Sequence, residues 1–125
     1  MTSANVTIYT YSGCSSCRKA TEWLRGNGVP FHEKPIRETP PSAAELRRML
    51  RHQGGELRRL FNTSGEDYRA MGLKERLPKL SEAEAIELLA AHGNLIKRPF
   101  ILGRTIGLTG FNPETWHVVF PQAQL

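Results

Sequence analysis

Two cysteines, Cys14 and Cys17, are separated by two serines in IYTYSGCSSCRK, with Arg18 and Lys19 directly behind them. They are the only cysteines in 125 residues. Such a pair can hold a metal, staple a loop, carry electrons or attack a substrate. The thiolate is the reactive form, and an ordinary cysteine titrates near about 8.5. A cysteine at the start of a helix meets unpaired backbone N–H groups and the positive end of the helix dipole, and both favour an anion. Arg18 and Lys19 act in the same direction. Cys14, nearer the turn, is therefore expected as the nucleophile. Cys17, one turn into the helix and more shielded, is expected as the resolving thiol that attacks an adduct on Cys14.

Other uses of the pair fit less well. A structural zinc site needs four ligands. One cysteine pair and the scattered His32, His52, His92 and His117 do not make that set, so no metal is expected. The N-terminal stretch MTSANVTIYTYSG has neither a basic n-region nor an apolar run of signal length, and no apolar run approaches the roughly 20 residues of a membrane span. A cytoplasmic protein is expected, and in that compartment a permanent disulfide is disfavoured.

The net charge is +5, from 17 basic and 12 acidic residues, which suits anionic ligands or an acidic partner surface. The densest basic run, LRRMLRHQGGELRRLF, carries Glu56 within it and Glu45 just ahead, with no stripe of interleaved aromatics. Direct nucleic-acid binding is not expected. The length fits one domain, residues 1–125, acting as a monomer.

A second landmark is LIKRPFIL. An X–Pro bond takes the cis form at a cost of only about 0.5–1 kcal/mol. Pro99, opening a strand, is expected to be cis, with Arg98 before it brought near Cys14 as a second anion-binding group. A third is FNTSGEDYRAMGL, where Asn62, Thr63 and Ser64 precede a helix. They read as a helix cap, with a contribution to an oxyanion site as the sharper alternative.

The elements that must position these residues follow from periodicity. NVTIYTY alternates as a strand. SSCRKATEWLRGNG has helical spacing through Cys17, Ala20 or Thr21, and Leu24, and stops at Gly26-Asn27-Gly28. VPFHEKPI reads as a second strand with Pro30 at its edge. A mostly helical segment follows, from about residue 40 to about residue 80. It opens with a capping box, Ser42 with Glu45, carries an apolar stripe of Leu46, Met49 and Leu50, and stops at Gly54-Gly55. ELRRLF and SGEDYRAMGL are short helical pieces. A further helix has a capping box, Ser81 with Glu84, and ends at Gly93.

RPFILGRTIG then predicts a hairpin in which Gly103-Arg104 form a two-residue type II′ loop between Phe100-Ile101-Leu102 and Thr105-Ile106. FNPETWHVVF predicts a last helix with Asn112 as N-cap and Pro113 at the first position. Trp23 and Trp116, at helical positions, read as core or rim packing. The order β-α-β, helical segment, α, β-β-α is α/β. With Cys-x-x-Cys at the first strand–helix turn it is the thioredoxin-like pattern, carrying a helical insertion between the two halves.

YSGCSSCRKATEWL, FNTSGEDYRAMGL, LPKLSEAEAIELLAAHGNLIKRPFIL and GFNPETW together resemble the arsenate reductase ArsC/Spx family over most of the chain. The resemblance implies an enzyme in which the first cysteine attacks arsenate while arginines hold the oxyanion. Cys14 matches the nucleophile, Arg18 the arginine four residues on, and Arg98 the arginine before proline. The oxyanion-binding set so implied is Ser12, Gly13, Arg18, Asn62 and Arg98, with Pro99 as the cis-proline. No bound cofactor is implied; thioredoxin, or glutathione with glutaredoxin, supplies electrons. Asn62 stands where glutaredoxin-linked members carry an arginine, and only Arg104 lies near the position of another, after the final hairpin. Cys17, which those enzymes lack, points to thioredoxin.

The Spx branch also carries Cys-x-x-Cys-Arg-Lys and implies a different role. Its members are redox-sensing regulators that bind the C-terminal domain of the RNA polymerase α subunit. Arg51 and Gly54-Gly55 resemble their contact residues. Spx members continue into a charged tail, whereas this chain ends in FPQAQL, which weighs toward the enzyme.

Overall fold

A computed structural model describes residues 6–123. Asn5, the first residue of the expected opening strand, lies outside the described residues. The elements run β1 (Val6–Thr10), α1 (Ser15–Gly26), β2 (Phe31–Pro35), α2 (Ala43–His52), a 3-10 turn (Leu57–Leu60), α3 (Glu66–Ala70) and α4 (Leu73–Arg76). They continue with α5 (Glu82–Ala91), β3 (Phe100–Leu102), β4 (Gly107–Thr109) and α6 (Pro113–Ala123).

The strands form one sheet in the order β2-β1-β3-β4. β1 pairs parallel to β2, and β3 antiparallel to both β1 and β4. A parallel neighbour after one helix requires a crossover, which α1 supplies. Because side chains alternate across a strand, one residue of β1 or β3 faces each way. Val6 and Ile8 of β1 and Ile101 of β3 pack with Ala20, Leu24, Trp116 and Phe120 on the face covered by α1 and α6. Tyr9, Phe100 and Leu102 turn to the other face and meet Leu46, Met49, Leu60, Phe61, Ile86 and Leu89 from the segment between β2 and β3.

The helix starts are set locally. Ser42 and Glu45, and Ser81 and Glu84, make the two capping boxes reciprocally, with all four hydrogen bonds between 2.9 and 3.1 Å. Asn112 Oδ1 accepts from the Glu114 and Thr115 N–H groups ahead of Pro113. Glu45 Oε1 also accepts the Tyr9 hydroxyl at 2.9 Å, tying the start of α2 to β1. The backbone just after α5 runs close against that just after β2: Gly93 leaves no room for a Cβ beside the Ile36 carbonyl.

Two expectations need correction. The second strand is shorter than VPFHEKPI, because the Val29 N–H is taken by the Leu24 carbonyl in the turn closing α1. The β3–β4 loop has four residues, Gly103–Ile106, closed by the Gly103 N–H on the Ile106 carbonyl at 2.9 Å. Gly103 is not among the glycines with positive φ, so the turn is not type II′. Thr105 and Ile106 belong to the loop, and the return strand starts at Gly107.

Candidate thiol site

β1 ends at Thr10, and the chain turns through Tyr11, Ser12 and Gly13 into α1. The Cys14 N–H donates to the Tyr11 carbonyl at 3.0 Å, closing the turn. Cys14 is the N-cap of α1: its backbone is extended, and its Sγ accepts the Cys17 N–H at 3.2 Å. Sulfur thus takes the place usually filled by a serine or aspartate oxygen. No acidic residue occupies the first turn of α1, so the dipole at its start is unopposed there.

Cys17 lies on the buried stripe with Ala20, Thr21 and Leu24 and is 2% exposed, whereas Cys14 is half-buried. Both are free thiols. Burial, first, and then the hydrogen bond that the Cys17 thiol gives to Cys14, with the Cys14 charge, push the Cys17 thiol up to about 12, against an opposing pull from the Tyr11 backbone and Arg98. At neutral pH Cys17 is therefore a thiol. An adduct on Cys14 would remove that neighbouring charge and lower the barrier to ionising Cys17.

The expected arginines sit in different relations to the pair. Arg18 Nη1 reaches back to the Ser12 carbonyl at 3.5 Å, which holds the guanidinium along the turn. The Arg98–Pro99 bond is cis, and the Arg98 charge is felt at Cys17. Register explains this: Tyr9 at the end of β1 pairs with Phe100 at the start of β3, so Arg98 and Pro99 lie beside the cysteine turn.

Arg104 is placed at the other end of the sheet. Thr7 at the start of β1 pairs with Leu102, and the loop carrying Arg104 follows Leu102. Antiparallel pairing therefore removes Arg104 from the site. The segment after β4 does return to the cysteine end, where the Gly110 N–H donates to the Pro99 carbonyl at 2.8 Å. The cation that overlies Gly110 there is Lys97, whose Cε would be 2.9 Å from a Cβ at that glycine.

Asn62 is neither a cap nor part of the turn. The N-cap of α3 is Gly65, with no side-chain bond. The Asn62 N–H donates to the Leu95 carbonyl at 2.7 Å, and its Nδ2 folds over Gly65, 2.7 Å from where a Cβ would stand. Its backbone partner thus lies three residues ahead of Arg98. Gly13 has a steric role: a Cβ there would meet the Tyr11 ring at 2.8 Å.

Tyr11 escaped sequence reasoning. Its ring folds over Gly13 and takes the Arg37 guanidinium at 4.0 Å and the Arg98 guanidinium at 5.0 Å from its centroid. Arg37 is 26 positions from Tyr11, and only the parallel pairing of β1 with β2 brings them together. No local pattern announces such a contact.

The comparisons with known proteins agree with this architecture. The model of the ArsC family matches residues 9–119. An uncharacterized Bacillus subtilis protein, YusI, is 47% identical over 88% of this chain and 93% of its own. The global transcriptional regulator Spx 2 of Lactococcus lactis is 26% identical over 94% of this chain and 87% of its own. The crystal structure of a possible arsenate reductase from Streptococcus mutans superposes with a TM-score of 0.82 at 39% identity, covering 90% of this chain and 97% of that one. The fold is thioredoxin-like, as the sheet order and the position of the cysteine pair require. With residues 9–119 matched, both cysteines and the cis-proline among them, this chain belongs to the ArsC family.

Proposed function

We propose that the chain is a cytoplasmic thiol-dependent oxidoreductase that reduces arsenate to arsenite. The observation that carries the reading is the asymmetry of the pair: Cys14 caps α1 through its sulfur, and Cys17 is buried one turn behind it. Arsenate binds against the start of α1, with Arg18 and Arg98 offsetting its charge and Ser12 and Gly13 supplying the turn backbone. The Cys14 thiolate attacks arsenic, forming an S–As bond as water leaves. Loss of the Cys14 charge frees Cys17 to ionise. Cys17 attacks the Cys14 sulfur, the S–As bond breaks with its electron pair passing to arsenic, and arsenic(III) leaves as arsenite. Two electrons have moved from two thiols to arsenic. Thioredoxin reduces the Cys14–Cys17 disulfide; glutathione with glutaredoxin is the alternative donor. Asn62, whose backbone is held by Leu95 three residues ahead of Arg98, completes the proposed oxyanion-binding set; Arg104, at the other end of the sheet, does not belong to it.

A coupled assay with arsenate, thioredoxin, thioredoxin reductase and NADPH tests it. Wild type should consume NADPH, Cys14→Ser should not, and Cys17→Ser should stop after one adduct unless glutathione and glutaredoxin are supplied. No turnover above background with either donor system sinks the reading.

A second reading has its own support. The similarity to Spx 2 extends over most of the chain, and Arg51 at the end of α2 is exposed beside Gly54 and Gly55, both with positive φ. On this reading the same disulfide is a signal, and the partner is the C-terminal domain of the RNA polymerase α subunit. A pull-down with that domain, with the chain oxidised and reduced, decides it: no capture in either state ends the regulator reading.

A further inference from the structure

Beside the cysteine turn, a cleft of about 670 Å³ opens between the ends of β1 and β2. Its volume lies in the range of small-molecule sites, roughly 300–1,000 Å³, and exceeds what one tetrahedral oxyanion fills. Its wall on one side is Tyr11 and Ser12, the same backbone that carries Cys14 two residues later. Across from them stand Glu33, Arg37 and Glu38.

The charges are specific. Arg37 and Arg98 both approach the Tyr11 ring, at 4.0 and 5.0 Å. Arg37, which lines the cleft, makes no ion pair among the described residues, so its charge is open to a ligand carboxylate. Lying over the ring at 4.0 Å, the Arg37 guanidinium has N–H groups to give a ligand. Glu33 is held by the Thr10 hydroxyl at 2.6 Å, which orients its carboxylate. Glu38 is exposed at the rim. A polyanion is repelled by the two carboxylates. A zwitterion satisfies both signs, its carboxylate at Arg37 and its ammonium at Glu33 and Glu38.

We propose that this cleft binds the α-amino-acid end of a small cystine-type disulfide, which the chain reduces as a further activity. The proposal rests on Cys14 being the attacking thiol. The Cys14 thiolate attacks one sulfur of the substrate, the S–S bond breaks, and one half leaves as a thiolate that takes up a proton. Cys17, losing its proton, attacks the Cys14 sulfur and expels the second half as a thiol. The substrate gains two electrons, the Cys14–Cys17 pair loses two, and a dithiol reductant of the thioredoxin class restores them.

The test is a single turnover without added reductant, because thioredoxin reduces small disulfides directly. The fully reduced chain is mixed with excess disulfide, and the loss of its two thiols is followed. Four probes separate the charges: cystine, cystamine without carboxylates, 3,3′-dithiodipropionate without ammonium groups, and bis(2-hydroxyethyl) disulfide with neither. Each rate is divided by that probe's rate with free dithiothreitol, which removes differences in leaving-thiol acidity; on this scale cystine should react about tenfold faster than the hydroxyethyl probe, the factor corresponding to one charge-assisted contact. Each single-charge probe should fall between them. In Arg37→Gln and in Glu38→Gln, two exposed positions, the ratio of cystine to hydroxyethyl rates should collapse toward one.

Cystine no faster than the hydroxyethyl probe overturns the proposal and leaves the Cys14 reading standing. So does a ratio that survives both substitutions. Dithiodipropionate as the fastest probe shows simple anion attraction and also overturns it. No reaction with any disulfide refutes the Cys14 reading itself, and the proposal with it.

Discussion

The two faces of the sheet are built on different terms. Behind the thiols, α1 and α6 close a small core organised around an aromatic cluster: the Trp116 ring meets Trp23 at 5.5 Å, Phe111 at 4.9 Å and Phe120 at 5.3 Å. Under the segment between β2 and β3 lies a larger, mostly aliphatic core of residues drawn from many short elements. The first face contacts the helix whose start carries Cys14 and Cys17. The second sets the lie of the chain that ends in Arg98 and Pro99. One face therefore aims the thiols, and the other brings charge to them.

Trp116→Ala tests this division most severely. It should cost about 3–5 kcal/mol in denaturant unfolding, the range for truncating a large buried aromatic. Because α1 rests on that ring, the rate of Cys14 alkylation by iodoacetamide in the folded protein should fall with it. Leu89→Ala, buried in the other core, should cost about 2–5 kcal/mol yet leave Cys14 alkylation unchanged. If both substitutions slow alkylation equally, the two faces do not divide the work.

The cysteine turn itself was legible because its determinants are local. A strand, a turn and a capped helix between Val6 and Gly26 place Cys14 without help from elsewhere, and the capping boxes at Ser42 and Ser81 are equally self-contained. Arg98 could be placed only through the strand it opens. The place of Asn62 is not legible locally because its backbone partner, Leu95, is remote in sequence, nor that of Arg104, because proximity to a hairpin does not say which end of the sheet the hairpin occupies. The Tyr11–Arg37 stack depends on pairing between strands and leaves no trace in either stretch alone.

Smaller effects sharpen the same contrast. Ser81→Ala removes one half of the α5 capping box and should cost about 1 kcal/mol in thermal or denaturant unfolding, with no change at the thiols. The effect of alkaline pH is smaller still near neutrality and grows above it. The Cys17 pKa rises on folding from 9.0 to about 12, so the unfolded chain releases that proton first. Stability contributed by the neutral thiol is complete below about pH 9 and is lost as pH rises from there toward 12. Cys17→Ala should flatten the alkaline limb of a stability–pH profile, and an unchanged limb would place the titration elsewhere, Tyr9 being the other raised group. His52 acts oppositely. Burial, with Arg48 and Arg51 beside it, lowers its pKa, so its contribution is present above the ordinary imidazole value and lost as the solution is acidified.

One oxygen limits how far the helical segment between β2 and β3 can be treated as a module. Glu45 Oε1 accepts both the Ser42 backbone N–H that begins α2 and the hydroxyl of Tyr9 in the central strand. The segment's first helix is thus started by an atom already committed to the scaffold. A cassette exchange that carried α2 onto another member's sheet would have to carry a tyrosine at the ninth position as well, or open with one of its two bonds unmade.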